Sequence, residues 1–297
     1  MSDQRPWCVI FNLNTVSRRE HAHWKFFLTS HHIDHESIGT QSVIELHDIL
    51  QKKYVTGYRH FLFVGGDGTL HHGGNQLKGI SGDRSCDVVI GVLPAGTGND
   101  WFRTFGLSGQ NLVRALKERT TFPLHALQIL FSEEHIHYAM NMVGGALDAA
   151  VVDTINKAKF QIPGVLKYSI ALLQTLMKPH RWQGNIIIDG KPMGGDWLTI
   201  QAGFGKYCGG GMYVLPHAGE DKAALLLMKP KSIGRLITSL PKLYNGKIAD
   251  QPEAVTAYFQ ELEIHHTGIP IPLEADGEWL GVSPVKIKSV FLFQRLA

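Results

Sequence analysis

Two short apolar runs that each end abruptly at glycine or proline constrain this chain more than any other feature. Residues 61–64 read Phe-Leu-Phe-Val and lead directly into two glycines, and residues 88–93 are followed by Pro94. Runs of this length and composition are typical of strands that are buried on both faces. Such strands occur mainly in parallel sheets that are covered by helices on both sides.

The segments before and between these runs alternate strand and helix signals. Residues 8–11 predict a further buried strand, and residues 18–28 predict the helix that follows it. Ser42 and Glu45 form a capping box, which predicts the start of another helix. This order of elements predicts an α/β N-terminal domain with a parallel sheet over residues 1–122.

The C-terminal part of the chain has a different pattern, in which strand signals are separated by turn signals. An apolar run precedes Asp189-Gly190, a dipeptide typical of a two-residue hairpin turn. Residues 255–259 and 285–293 alternate apolar and polar side chains, as strands do when one face is buried. We therefore predict a mainly antiparallel, β-sandwich-like second domain over residues 123–297.

Two helices are predicted within this second domain, at residues 164–177 and 233–244. The first is rich in apolar side chains and is flanked by cations such as Lys157 and Lys178. An apolar helix with cationic flanks suits a membrane interface. It suits equally a helix that packs against the sheet of the second domain, and the sequence leaves both interpretations open.

Composition excludes several classes of protein. No apolar run approaches the roughly 18 residues that a membrane-spanning helix needs. The net charge of +3 is too small to indicate a nucleic-acid partner. The N-terminal residues are polar where a signal peptide is apolar, and Cys8, Cys86 and Cys208 lie far apart in the sequence. We therefore expect a cytoplasmic protein with reduced thiols.

Two glycine-rich segments have the composition of phosphate-binding loops. Residues 65–69 read Gly-Gly-Asp-Gly-Thr, and residues 96–100 read Gly-Thr-Gly-Asn-Asp. Ligands of open α/β sheets bind at the carboxyl ends of the strands, where glycine lets backbone N–H groups approach phosphate oxygens. Asp67 would repel a phosphate unless a cation such as Mg²⁺ lay between them. The same residues also fit plain tight turns in which Asp67 caps a helix.

Five motifs give the chain a specific resemblance. They read Gly-Gly-Asp-Gly-Thr at 65–69, Leu-Pro-Ala-Gly-Thr-Gly-Asn-Asp-Trp at 93–101, Asn-Met-Val-Gly-Gly at 141–145, Gly-Lys-Tyr-Cys-Gly-Gly-Gly-Met at 205–212 and Glu-Ala-Asp-Gly-Glu at 274–278. Together they resemble the diacylglycerol kinase catalytic-domain family, which includes bacterial lipid kinases, sphingosine kinases and ceramide kinases. The motifs follow the family's order over nearly the whole chain, which a single glycine-rich loop would not do.

The resemblance implies an ATP-dependent lipid kinase whose N-terminal domain binds ATP with Mg²⁺ and whose C-terminal domain binds the lipid. The residues that match its ATP-binding loops, with the asparagine after the first strand, are Asn12, Gly65, Gly66, Asp67, Gly68, Thr69, Gly96, Thr97 and Asn99. Glu278 matches the carboxylate that accepts the hydroxyl proton, with Asp276 beside it, and Asp67 would help to hold Mg²⁺ at the phosphates. The protein would meet its lipid at the inner face of a membrane. Whether it forms a homodimer is left open.

Three positions depart from the family's pattern. Leu13 and Val16 replace a proline and a glycine after the first strand, so the floor of the nucleotide pocket would differ. Lys222 stands where the family usually has an aspartate that helps to bind a structural Mg²⁺. Because an ammonium group disfavours a divalent cation, no second structural metal site is expected.

Two alternative functions remain open on the sequence. NAD kinases also carry Gly-Gly-Asp-Gly-Thr, although the second glycine-rich segment and residues 274–278 favour a lipid kinase. A catalytically silent nucleotide- or lipid-binding protein would explain the three departures. The retention of Asp67, Thr97, Asp276 and Glu278 argues against that interpretation.

Overall fold

The computed structural model describes residues 5–96, 98–157, 170–172, 174–175, 182–219 and 221–297. These residues fall into two units, each with its own interior. The N-terminal unit runs to His125 and also contains Phe291–Ala297, and the C-terminal unit is Ala126–Val290. The return of the last residues to the N-terminal unit has no signal in the sequence.

The N-terminal unit alternates strands and helices. Its strands are β1 (Trp7–Asn12), β2 (His35–Thr40), β3 (His60–Gly65) and β4 (Val89–Pro94). Its helices are α1 (Arg18–Ser30), α2 (Val43–Val55), α3 (Asp67–Ser81), α4 (Asp100–Phe105) and α5 (Gly109–Glu118), with a 3-10 turn at Gly82–Asp87. Neighbouring strands in the order β2-β1-β3-β4 are parallel, which confirms the predicted α/β domain.

The strand order of this sheet reverses between β1 and β3. The chain adds β2 on one side of β1 and then β3 on the other side. In sheets of this type, the ligand crevice opens at the carboxyl ends of the strands that flank the reversal. Those ends are Asn12 of β1 and Gly65 of β3, so the first glycine-rich segment begins at the usual ligand position.

The apolar side chains predicted to be buried in this sheet form the core of the N-terminal unit. Val9 and Phe11 of β1 and Leu62 and Val64 of β3 belong to one buried cluster, together with Leu28 of α1. Val9 and Phe11 lie two residues apart in β1, as do Leu62 and Val64 in β3, so each pair lies on one face of its strand.

Ser42 caps α2, as the sequence predicts, but the Glu45 side chain bonds to a different backbone N–H from the one in a capping box. The Ser42 hydroxyl oxygen accepts a hydrogen bond from the backbone N–H of Glu45 at 3.1 Å. The Glu45 carboxylate accepts from the N–H of Gln41 at 2.7 Å, one residue before the cap. A complete capping box, which the sequence analysis did not single out, forms between Ser17 and Glu20 at the start of α1.

The C-terminal unit is built mainly from antiparallel strands. Two strands, β5 (Thr121–Leu130) and β18 (Val285–Leu296), contribute residues to both units. The others are β6 (Ile136–Ala139), β7 (Met142–Ala146), β8 (Trp182–Ile188), β9 (Lys191–Trp197), β10 (Thr199–Gly203), β11 (Tyr207–Cys208), β12 (Met212–Tyr213), β13 (Ala223–Met228), β14 (Ala254–Phe259), β15 (Glu261–His266), β16 (Pro272–Ala275) and β17 (Glu278–Val282). One sheet has the order β14-β13-β10-β7-β16-β17, and β9, β8, β15 and β18 are neighbours in another.

All neighbouring strands within these two sets are antiparallel, which confirms the predicted β-sandwich-like architecture. Asp189 and Gly190 form the β8–β9 turn with φ values of 47° and 79°, as the hairpin signal predicts. The last strand, β18, pairs with β15 near its start and with β4 through Gln294 and Arg295.

Helices α6 (Leu147–Lys157) and α7 (Ile233–Ser239) accompany these sheets. The helix predicted at 233–244 is α-helical only to Ser239, and a 3-10 turn at Leu240–Leu243 follows it. Most of the helix predicted at 164–177 lies outside the described residues, although 170–172 and 174–175 are helical. Within the described part of the chain, no helix is long and apolar enough to cross a bilayer.

Two glycines of α3 should respond in opposite ways to substitution by alanine. A Cβ at Gly73 would overlap the ring of Phe63 in β3, whereas a Cβ at Gly79 would have no neighbour within 4 Å. We expect Gly73→Ala to lower the free energy of unfolding by about 1–3 kcal/mol through overpacking. The matched control Gly79→Ala should raise it by about 0.5–1 kcal/mol, because alanine is the better helix former. Urea denaturation measures both changes, and equal effects of the two substitutions would contradict the packing of α3 on β3.

Candidate functional site

The first glycine-rich segment forms the turn from β3 into α3. Gly65 ends the strand, Gly66 is the N-cap of α3, and Asp67 and Gly68 lie in its first turn. Gly65 is required locally, because a Cβ there would overlap the hydroxyl group of Thr69. Gly66 has an extended backbone with φ −98° and ψ −166°, and a Cβ there would reach only van der Waals distance of Ala95 O.

Asn12 and Thr69 connect the ends of the two strands that flank the reversal. The Asn12 side-chain amide donates to the Thr69 hydroxyl oxygen at 2.9 Å. Thr69 is buried, and Asn12 is the last residue of β1. The structure therefore brings together two of the residues predicted to bind ATP.

The carboxylate of Asp67 links the first glycine-rich segment to the second. Its Oδ2 accepts the backbone N–H of Asp100 and its Oδ1 accepts that of Trp101, each at 2.9 Å. These two residues begin α4, so Asp67 caps the helix that follows the second segment. A Cβ at Gly98 would lie 2.9 Å from Asp67 Oδ2, which explains the glycine at that position. On the sequence alone, Asp67 also fits a cap of its own helix, but in the structure it caps the next one.

The second glycine-rich segment needs two unusual backbone conformations. Gly96 has φ +86°, and Asn99, the N-cap of α4, is left-handed with φ +60°. Thr97, also predicted to bind ATP, lies outside the described residues. Asn99 Oδ1 is buried and accepts no hydrogen bond within the described residues, while its amide donates to Gly96 O at 3.1 Å.

Glu20 is a further member of this site, and none of the sequence motifs includes it. Its Oε1 accepts the backbone N–H of Gly96 at 2.9 Å, and its Oε2 completes the capping box with Ser17. The hydrogen bond from Ser17, and next the one from Gly96, lower the pKa of Glu20. The capping motif at 17–20 could have been found in the sequence, but its contact with Gly96 depends on tertiary structure.

A pocket of about 390 Å³, counted to its open mouth, lies at the same edge of the sheet. Asn12 and Thr69 line it, together with Thr40 at the end of β2, Ser42, and His72 of α3. Mostly polar side chains and a helix N-terminus are suited to a phosphorylated ligand. The buried, unpaired oxygen of Asn99, which would lie 3.9 Å from a Cβ at Gly66, fits a Mg²⁺-nucleotide, since amide oxygens are hard ligands.

In the C-terminal unit, Asp276 holds a backbone segment in place. Its Oδ2 accepts the N–H of Met140 at 2.8 Å, and its Oδ1 accepts those of Asn141 and Met142 at 2.9 and 3.0 Å. Asp276 has φ +53° and forms, with Gly277, the turn between β16 and β17. Glu278, the residue predicted to be the base, begins β17 and is partly exposed.

The motifs at 141–145 and 205–212 meet beside this turn. The side-chain amide of Asn141 donates to Tyr207 O at 2.9 Å, and its backbone oxygen accepts the N–H groups of Phe204 and Gly205. A Cβ at Gly205 would overlap Asn141 Oδ1, so only glycine fits there. These contacts join Asp276, Asn141 and Gly205 into one packed group. The same contacts explain why each of the three motifs carries its residue.

Glu274 is a buried carboxyl group next to this turn. It lies over Gly144, where a Cβ would overlap its Oε1, and its Oε2 accepts the N–H of Gly277 at 2.8 Å. Burial, followed by the charges of Asp148 and Asp276, raises the pKa of Glu274 to about 8. The carboxyl group is therefore mostly neutral at pH 7.

An apolar cavity of about 680 Å³, counted to its mouth, lies in the C-terminal unit. Leucine, methionine, valine and isoleucine side chains line most of it, including Leu147 of α6, Met212 of β12, Leu226 and Met228 of β13 and Leu236 of α7. Its polar members include Asp148, Thr199 and Gln201. No sequence signal identified this cavity, because its lining consists of apolar residues that are distant in the chain.

Lys222, predicted to replace a metal-ligating aspartate, has its ammonium nitrogen 5.8 Å from the ring centroid of Tyr258. Glu220, its neighbour but one in sequence, lies outside the described residues. Among the residues that the structure describes, no three His, Cys, Asp or Glu side chains are grouped to hold a metal ion. The expected lack of a second structural metal site stays a prediction.

Comparison with known families gives two matches that follow one another along the chain. The model of the diacylglycerol kinase catalytic domain matches residues 6–129. The model of the YegS C-terminal NAD kinase beta sandwich-like domain matches residues 113–292, which is more than half of the chain.

Individual relatives agree with these matches. A diacylglycerol kinase of Mycobacterium tuberculosis is 24% identical over 269 residues, which cover 87% of this chain and 84% of that protein. The crystal structure of a diacylglycerol kinase from Bacillus anthracis superimposes with a TM-score of 0.71, covering 98% of this chain and 96% of that chain. With 15% sequence identity, this last likeness shows the fold.

Glu274 should make the stability of the protein depend on pH. Its pKa of about 8 in the folded protein exceeds that of an unfolded glutamate, near 4.3. The folded state therefore binds the proton more tightly, and the stability from the neutral carboxyl is lost as pH rises through this window. Relative to Glu274→Gln, the wild type should lose up to about 1.4 kcal/mol per pH unit between pH 5 and 8. Urea denaturation at several pH values measures this, and Glu133→Gln, at an exposed site, is the control. Parallel pH profiles of wild type and Glu274→Gln would refute the buried, neutral carboxyl.

Proposed function

This chain belongs to the diacylglycerol kinase catalytic-domain family, and from that membership we propose that it transfers the γ-phosphate of ATP to a hydroxyl group of a lipid. The observation that carries the proposal is the Asp67 carboxylate, which joins the two glycine-rich segments. Backbone N–H groups of glycine-rich turns and helix N-termini bind phosphate, and this junction keeps two such segments together.

The N-terminal unit is proposed to bind ATP. The phosphates would lie against the residues predicted from the sequence, namely Asn12, Gly65, Gly66, Asp67, Gly68, Thr69, Gly96, Thr97 and Asn99. The pocket lined by Thr40, Ser42 and His72 would take the nucleoside. Bound Mg²⁺ would neutralise phosphate charge, with Asp67 and the Asn99 oxygen as the side chains proposed to hold it.

The C-terminal unit is proposed to supply the base. Glu278 is partly exposed at the start of β17, where a carboxylate can accept the proton of the acceptor hydroxyl. Asp276 accepts three backbone N–H groups, so its proposed part in the reaction is to position the turn that carries Glu278. Asp67 would act similarly, by holding the second glycine-rich segment at the phosphates.

The apolar cavity of the C-terminal unit is the proposed site of the lipid's hydrocarbon chain. The apolar side chains that line most of it are typical of sites that enclose an apolar ligand. A lipid substrate must be taken from a membrane, so we propose that the protein works from the cytoplasm at the inner membrane surface.

A transfer assay distinguishes this function from its alternatives. The protein is incubated with γ-labelled ATP and Mg²⁺, and with either mixed lipid extracts or NAD. Label in an organic-soluble product supports a lipid kinase, and label in NADP supports an NAD kinase. ATP binding without either product would indicate a silent binding protein and would overturn the proposal.

Gly66→Val should weaken ATP binding without unfolding the protein. The backbone of Gly66 is extended, a conformation that valine readily adopts, and a Cβ there would lie 3.6 Å from Ala95 O. The added methyl groups would occupy the space where phosphate must approach the start of α3. We expect ATP affinity to fall at least about tenfold in calorimetry, which corresponds to about 1.4 kcal/mol. Unchanged affinity in Gly66→Val would mean that the segment is a plain turn, and Gly79→Ala is the control on the same helix.

Glu278→Gln should separate catalysis from binding. Glutamine keeps the shape of the side chain but cannot accept a proton, so we expect a loss of about 10²-fold or more in kcat with unchanged ATP affinity. Asp276→Asn should also slow the reaction, and it should lower the melting temperature because its amide group cannot accept three N–H bonds. Near-full activity of Glu278→Gln would mean that Glu278 is not the base.

A further inference from the structure

The lining of the cavity in the C-terminal unit includes five polar side chains, among them Lys231, which pairs with Glu253 at 3.2 Å, and Ser239, which donates to Arg235 O. The other three form a group, here called the polar patch. It consists of Asp148, Thr199 and Gln201. Thr199 and Gln201 lie two residues apart on β10, so both side chains lie on the same face of the sheet. The hydroxyl of Thr199 donates to Asp148 Oδ2, which ties the strand to the start of α6.

Gln201 is the member of the polar patch whose surroundings indicate a bound ligand. Its side chain is 3% exposed, and its Oε1 is buried without a hydrogen-bond partner among the described residues. A buried acceptor that is left unpaired is unfavourable, and native proteins tolerate few of them. A donor from a bound molecule in the cavity would satisfy this oxygen.

The register of the sheet places the polar patch next to the turn that carries Glu278. Gln201 on β10 pairs with Gly144 on β7, and Gly144 pairs with Glu274 on β16. Because Gly144 has no Cβ, the Glu274 carboxyl group and the Asp148 side chain converge over it. Glu274 in turn accepts the N–H of Gly277, beside Glu278.

We infer that the polar patch binds a second hydrogen-bond donor of the lipid, a hydroxyl or amide N–H within a few bonds of the hydroxyl that is phosphorylated. The inference rests on the proposed function and names its substrate class. The unpaired Oε1 of Gln201 and the carboxylate of Asp148 are acceptors, so they match a hydrogen-bond donor of the lipid. A lipid with a free second hydroxyl or an amide link is therefore preferred over diacylglycerol, whose two other oxygens are esterified.

A matched pair of lipids tests this preference. Monooleoylglycerol with a free 2-hydroxyl is compared with its 2-O-methyl ether, which has the same chain and the same terminal hydroxyl. Binding to the full chain is measured without ATP, by native mass spectrometry or by displacement of a fluorescent fatty acid. We expect the free hydroxyl to improve affinity roughly tenfold or more, because a site built around a donor rejects the analogue that lacks it.

Gln201→Leu should bring the ratio of the two affinities to within about threefold, since the acceptor is lost. Its melting temperature should not fall below that of the wild type, because leucine removes an unpaired buried oxygen. Should Gln201→Leu fail to fold, Gln201→Met serves the same comparison. Gln260→Leu, at an exposed position of the same unit, should keep the wild-type ratio.

Two results would overturn the inference, namely equal affinities of the wild type for both lipids, or a ratio that survives loss of the Gln201 amide. If the proposed lipid kinase activity is wrong, the experiments would give a different result. In that case no lipid would accept phosphate from ATP, while the ratio of the two affinities would still report on the polar patch.

Discussion

One carboxylate that accepts two backbone N–H groups holds the candidate nucleotide site together. Helix α4 is too short to be stable by itself, so its position depends on what caps it. Asp67 supplies that cap from the first turn of α3, through charge-assisted hydrogen bonds to Asp100 and Trp101. The glycine at position 98 lets the carboxylate come close enough. The shape of the second glycine-rich segment therefore depends on a side chain of the first.

The C-terminal unit uses the same kind of interaction at two hairpins, with different surroundings. Asp189 accepts the N–H groups of Gln260 and Glu261, and Asp276 accepts three from residues 140–142. Both aspartates precede a glycine and have a positive φ. What distinguishes the second hairpin is its environment, with the buried Glu274 on one side and Glu278 on the other. An Asp-Gly hairpin is thus a structural motif first, and its neighbours decide whether it has a chemical role.

The sequence predicted the features that depend on local pattern. The apolar runs located β1, β3 and β4, and the switch from helix signals to alternating strands identified the antiparallel unit. The glycine-rich segments were found at the correct edge of the sheet, because the carboxyl ends of parallel strands must share one edge.

Features that depend on contacts between distant residues were not accessible from the sequence. Glu20 reaches Gly96 across 76 positions, and Asp67 reaches Trp101 across 34. The apolar cavity likewise combines residues from 147 to 248, and no local pattern links them. For Lys222, the departure from the family's pattern is visible in the sequence, but the residues that surround its ammonium group are not.

The course of the last strand has a consequence for how the chain folds during synthesis. β18 leaves the C-terminal unit and pairs with β4 through Gln294 and Arg295, within the N-terminal unit. Those residues emerge from the ribosome after all of residues 126–290. A nascent N-terminal unit therefore exposes the edge of β4, with its unpaired backbone groups, while the whole second unit is being made. The N-terminal unit therefore cannot be completed until β18 has been made, which couples the folding of two units that each have their own core.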